Sequence, residues 1–182
     1  MDNKQLNELL KKYKRYSDGD ASCKFELKIE YENIDTFDFR KYDLNNSFFV
    51  GDVFELCDFT NVYLSGSYFG GSKFVKCIFV NNTLRKAKWN AISFDFVQIA
   101  ALNAMRVEFF DSKFIDSNFS DSSFLKCAFD GSSFDSVIFK NCDFQNTSFK
   151  DCKFNNVFFF ECSMINCDID RKCDGIHFIN PK

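Results

Sequence analysis

The sequence predicts an all-β solenoid with a helical cap, and two columns of residues carry that prediction. In the first, a large apolar side chain recurs every fifth residue: Phe stands at 109, 114, 119, 124, 129, 134, 139, 144, 149, 154 and 159 without a break. Extended both ways, the register runs from Ile34 to Ile169, 28 positions of which 19 are Phe. A helix advances about 100° per residue, so a spacing of five would scatter the rings around the whole cylinder. A flat strand alternates faces, so every second ring would meet water. A chain that turns a corner once per five residues points every ring at one axis, and that chain is a solenoid.

The second column lies two residues before the first. From position 37 to 167 it holds Ser, Cys, Thr, Ala or Val at 21 of 27 places, Ser112, Ser117, Ser122, Cys127 and Ser132 among them. A narrow coil with a large residue at its centre leaves room there only for a small one. Large and small inward residues therefore alternate, with polar residues between them facing water.

Units such as "SNFSD", "CAFDG", "CDFQN" and "TSFKD" resemble the pentapeptide repeat proteins, whose unit reads roughly A/S/C/T/V, D/N, L/F and two variable positions. The resemblance covers residues 34 to 169. It implies a right-handed four-sided β-helix with four repeats per coil, hence about seven coils. At a strand spacing of about 4.8 Å the rod is roughly 34 Å long.

The expected organisation is a helical cap over residues 1–28, the β-helix over 29–170 and a short tail over 171–182. At the start, Asp2 and Gln5 have capping-box spacing, and Leu6, Leu9, Leu10 and Tyr13 follow at helical intervals. Lys11, Lys12, Lys14 and Arg15 gather where the helix dipole favours cations, and Asp18-Gly19 offers a stop. An amphipathic lid over the open first coil is the expectation, because a solenoid end exposes unpaired edges and core. The thirteen residues after Ile169 suffice for a partial turn and a short strand at Ile176 to Ile179. One Pro and seven Gly fit a regular coil. No stretch approaches the ~20 apolar residues of a membrane span, and the N-terminus lacks the apolar core of a signal peptide. A cytoplasmic protein is expected.

Catalytic chemistry has little to work with. No phosphate loop or nucleophile elbow is present, and the lone histidine, His177, lies beyond the repeat as a surface or end-cap residue. Seven of nine cysteines fall in the small inward column, where Cys serves as a small hydrophobe. Cys57 stacks on Cys77 and Cys142 on Cys162 at spacings of 20, with reduced thiols expected outside a secretory context. No enzyme activity, cofactor or metal is expected.

Charge is blocked along the chain. Residues 30 to 58 carry eight acids against two bases, 73 to 106 six bases against one acid, and 108 to 170 eleven acids against five bases, for a net charge of −3. Within the basic waist Trp89 replaces Phe, Ala104 leaves a gap that Leu102 is expected to fill, and a belt for a partner is one reading of the segment. Twenty residues per coil place Ile78, Ile138 and Phe158 in one outward column and Val80, Ala100 and Phe160 in its neighbour. They form a candidate contact for a partner or a homodimer seam, a monomer being the alternative. The resemblance implies function as well. Several bacterial members bind DNA gyrase or topoisomerase IV and protect against topoisomerase poisons through a DNA-like negative surface. On that reading Asp111, Asp116, Asp121, Asp130 and Asp135 are the candidate partner-binding carboxylates, with no direct contact to nucleic acid or membrane. A generic interaction scaffold with regulatory, immunity or effector role is the alternative. The chain departs from those members in its basic waist and in having no apolar C-terminal helix.

Overall fold

A computed structural model describes residues 1–19, 25–169 and 174–182. The body is a β-solenoid of about seven turns with one N-terminal helix. Its four faces are parallel ladders in which residue i pairs with residue i+20. The first face starts with Lys28–Glu30, Phe48–Val50 and Tyr68–Gly70 and continues through single bridges from Lys88 to Asp168. The second is seven-stranded, from Asn33–Asp35 to Lys153–Asn155. The third is six-stranded, from Ile78–Val80 to Ile176–Ile179, and the fourth five-stranded, from Thr83–Arg85 to Ser163–Ile165.

The ring positions fill the axis. Phe39, Phe49, Phe54, Phe114, Phe124 and Phe144 are wholly buried, and coil-to-coil neighbours stack like coins: Phe124 on Phe144 at 4.8 Å and 6°, Phe109 on Phe129 at 4.8 Å and 6°. The inward register begins one repeat earlier than Ile34, at Ile29, which pairs with Phe49. At the waist the stacking breaks. Trp89 meets Phe109 at 81°, and Phe94 meets Phe114 at 73°. Leu102 does not close the waist completely: with Phe79, Trp89 and Phe109 it lines a small apolar gap in the core.

The helix Asn3–Ser17 carries the capping box, with Gln5 N donating to Asp2 Oδ1 at 2.7 Å and Asp2 N to Gln5 Oε1 at 3.1 Å. Leu6, Leu10 and Tyr13 are buried against the first coil. Tyr13 Oη donates to Asn45 O, and the N-terminal amine pairs with Glu32. Phe37 and Tyr42, large residues in the small column, stand at this open end. Among the described residues no strand pairs with them from below, and they pack with Phe39 under the lid. At the other end the closing strand pairs Phe159 with Phe178, a step of 19 instead of 20. One residue is therefore dropped between Ile169 and Ile176. Among the described residues no helix is long and apolar enough to cross a membrane.

Candidate partner-binding surfaces

Every repeat ends in a corner, and the corner conformation decides which residues stand there. From Tyr31 to Asn166, each corner residue except Lys41 has a positive φ, near +50° to +70°. This left-handed region suits Gly and, among other residues, Asn and Asp. Just over half of the corners carry one of these three. Asp111, Asp116 and Asp121 are corner residues with φ of 54°, 47° and 50°, so their identity has a backbone cause before any functional one. They occupy three successive corners of a single coil and point to different sides of the rod.

Of the remaining candidates, Asp130 lies on the first face beside Asp111, and its Oδ1 accepts from Lys150 N at 3.0 Å. Asp135 lies on the second face beside Asp116, accepting from Asn155 Nδ2 at 2.9 Å and Ser136 Oγ at 3.2 Å. Asp121 accepts from Asn141 Nδ2 at 2.7 Å on another corner. The five carboxylates thus form two neighbouring pairs plus one outlier.

Periodicity at twenty residues exposes an arrangement that charge counted along the chain conceals. Asp35, Glu55, Asp95 and Asp135 share one outward column of the second face, with Asp116 on the adjoining corner between the second and third faces. Asp38 and Asp58 flank that corner, sharing Arg40 at 2.8 and 3.4 Å, and the hydrogen bond from Arg40 holds Asp38 down to about 2. Lys73 crosses the face to Asp95 at 2.6 Å. This side is an acidic edge.

The expected basic belt is not a belt. Arg85, Lys86, Lys88 and Arg106 all project at the corner between the fourth and first faces, diagonally across the rod from the acidic edge, and Lys126 continues the corner column one coil on. Only Lys73 and Lys76 of the waist lie elsewhere, on the second face and its corner with the third. The coil therefore gathers four of the six waist bases at one corner, while the edge opposite carries the carboxylate column together with Lys76 and, on the second face, Lys73, Lys113 and Lys153.

The apolar candidates also divide. Ile138, Phe158 and Phe160 lie together near the end of the third face, where Phe158 and Phe160 stack at 5.7 Å and His177 covers Phe158 at 4.8 Å. Phe160, Ile138, Lys140, Glu161 and Asn180 line a shallow pocket. Ile78 is three coils away, separated by Gln98 and Asn118. It stands next to the corner column of Leu56, Lys76 and Phe96, where Leu56 and Phe96 are more than half exposed. Val80 and Ala100 are likewise separated from Phe160 by Ser120 and Lys140.

Among the described residues no group of three His, Cys, Asp or Glu side chains is placed to hold a metal. The described cysteines are free thiols. Burial pushes Cys127 up to about 11, and the hydrogen bond to Cys57, with burial, raises Cys77. Protonated and enclosed, Cys77 and Cys127 are poor nucleophiles. Cys23 and Cys173 lie outside the described residues.

No curated protein matches the chain. Similar solved structures include QnrB1, a plasmid-mediated fluoroquinolone resistance protein, at 14% identity over 85% of this chain and 92% of that one, TM-score 0.48. HetL of the cyanobacterium Nostoc sp. strain PCC 7120, a protein involved in heterocyst differentiation regulation, is 8% identical over 93% and 92%, TM-score 0.41. Rfr23 of the cyanobacterium Cyanothece 51142 is 10% identical over 85% and 86%, TM-score 0.42. The family model of pentapeptide repeats matches eight copies at residues 112–151. The same five-residue step carries the coil on both sides of that stretch, so the chain contains pentapeptide repeats within a longer run of the same period.

Proposed function

We propose that this protein is a non-catalytic scaffold that binds a protein partner, most concretely bacterial DNA gyrase or topoisomerase IV, by presenting its acidic edge to a groove that otherwise holds DNA. The observation that carries the reading is the column of Asp35, Glu55, Asp95 and Asp135 with Asp116 at the adjoining corner. Coil spacing of about 4.8 Å sets the four carboxylates in one straight column of about 24 Å, with Val75 and Ile115 between them. Four of the six waist bases face the opposite way, and the two on this side are Lys73, paired with Asp95, and Lys76 in the corner column of Asp116. The family resemblance suggests the enzyme, and the carboxylate column supports this side of the rod as the one presented to it. Of the carboxylates named from sequence, Asp116 and Asp135 belong to this edge, Asp111 and Asp130 border it one corner away, and Asp121 faces elsewhere.

A titration of the protein into gyrase, DNA and a quinolone tests the reading. Protection from poisoned cleavage, or inhibition of supercoiling, is expected at low salt. It should fade as salt rises, since the groove's basic residues are screened over about 8 to 10 Å at physiological ionic strength. Unchanged supercoiling, cleavage and gyrase–DNA binding at every concentration would contradict it. The alternative, a scaffold for another protein or a homodimer, is favoured by the apolar group of Ile138, Phe158 and Phe160, which crosslinking would place in an interface.

A further inference from the structure

The basic corner has its own chemistry. Two adjacent outward columns, the last of the fourth face and the corner that follows, run from Asn45 to Asn166 without a single acid, in a chain with 26 acidic residues. The middle of this strip is cationic: Arg85, Lys86, Arg106 and Lys126, all exposed, with Lys88 beside them. Among the described residues only Lys88 of the five has an ion pair, a loose one to Glu108 at 3.9 Å. Above and below, the strip carries the neutral hydrogen-bonding groups Asn46 and Ser65 on one side and Gln145, Asn146 and Asn166 on the other, with Met105, Leu125 and the exposed Ile165 as its apolar members.

The cations also stand where the backbone does not favour them. Lys86, Arg106 and Lys126 have φ of 55°, 56° and 55°, in a column that elsewhere uses Asn46, Gly66, Asn146 and Asn166, residues suited to that conformation. Other corners also hold residues outside that group, but only in this column do three long cations follow one another.

We infer that this corner is a docking ridge for the phosphodiester backbone of duplex nucleic acid, bound without regard to sequence. A convex corner cannot enclose a small anion, so its ligand is extended. Charges repeat about every 4.8 Å over the three coils of Lys86, Arg106 and Lys126, about 10 Å, inside an acid-free strip of about 29 Å that continues in neutral groups on both sides, which suits a long regular polyanion better than a short acidic peptide. Arg, Lys, Asn, Gln and Ser are the side chains that contact phosphate oxygens. Aromatic platforms of the kind that hold single strands are not offered by the strip. Tyr68, the nearest ring on the first face, lies across Gly70, where a Cβ would come within 2.3 Å of its hydroxyl, and so leans away from the corner. This departs from the sequence expectation of no direct nucleic-acid contact, and it stands independently of the acidic edge.

Fluorescence anisotropy with a mixed-sequence duplex of about two helical turns, over a series of salt concentrations, tests the ridge. Five cations predict a slope of log K against log[salt] of about −4.5. The variant Lys86→Asn, Arg106→Asn, Lys126→Asn places in the corner a residue the column already uses. It should keep its circular dichroism and melting temperature, lose roughly tenfold or more of its affinity at low salt, and reduce the slope by about 2.7. The equally charged variant Lys73→Gln, Lys113→Gln, Lys153→Gln on the second face should bind as the wild type does. Equal losses in both variants, no binding at low salt, tighter binding of a single strand, or binding of poly-glutamate in place of the duplex would each overturn the assignment.

Discussion

Ser132 shows why the small column is more than a gap for a ring. Its Oγ donates to Phe109 O at 2.7 Å and accepts from Ser112 N at 3.0 Å. Ser112, Ser117, Thr147 and the column cysteines make the same bond to the carbonyl of the ring residue 23 positions earlier. A side chain at these places thus satisfies buried backbone groups that would otherwise cost about 1–3 kcal/mol each. Size was legible in the sequence. The hydrogen bond was not, because its partner is a full coil away. Asp52 is the costly version of the same residue. Its Oδ1 accepts from Glu32 N at 2.8 Å, but Oδ2 has no partner, and burial raises its pKa from 3.8 to about 6. A raised carboxyl pKa means that the folded state holds the proton: stability is full below about pH 4, falls as pH rises to about 6, and stays reduced above that. Asp52→Ser should therefore stabilise the protein at pH 7 by roughly 1–3 kcal/mol, with the gain absent at pH 4. Denaturant melts at both pH values check it. The ring column has its own test. Phe124→Ala should cost about 3–5 kcal/mol, whereas Ser120→Ala, on the outer surface, should stay within about 0.5 kcal/mol. Equal costs in thermal melts would mean that Phe124 does not point to the axis.

The helix was readable at the level of the element because capping and amphipathic spacing are local. Asp2, Gln5, Leu6 and Tyr13 sit within four turns and do what their spacing predicts. Removing residues 2 to 16 uncovers the first-coil edge and the rings of Phe37 and Phe39 beneath it. The truncated protein should associate, as light scattering would report, and a monodisperse truncation with an unchanged melt would deny the cap its role. The strand Ile176–Ile179 was also legible, but the lost residue before it was not. A one-residue slip is set by which coil the strand joins, and only the pairing of Phe178 with Phe159 reveals it. Gly175 makes the entry to that strand feasible: its φ is 88°, and a Cβ would fall 2.5 Å from Phe154 O. Gly175→Ala should release the last strand, seen as faster amide exchange at Val157 and Glu161, whose N–H groups donate to Gly175 O and Ile179 O.

Across the whole molecule, the coil turns a one-dimensional sequence of charge into a pattern around an axis. Counted along the chain, residues 73 to 106 interrupt an acidic rod. Counted in twenties, four of the six bases fall on one corner, opposite an edge where five carboxylates outnumber Lys73 and Lys76. The fold was legible because its period is short and exceptionless. The surfaces were less so, because which of the four sides a residue faces depends on coil number and corner together. Ile78 and Ile138 show the limit, sharing a column yet separated by Gln98 and Asn118. The claim that one side of the rod binds the partner is tested most directly by two variants of equal charge in the same gyrase binding titration. One neutralises the edge through Asp35→Asn, Glu55→Gln, Asp116→Asn and Asp135→Asn. The other removes four acids from elsewhere through Asp43→Asn, Asp143→Asn, Glu161→Gln and Asp168→Asn. The edge variant should lose gyrase binding while the second retains it, and equal behaviour of the two would mean that net charge, not the side on which it is displayed, governs whatever binding there is.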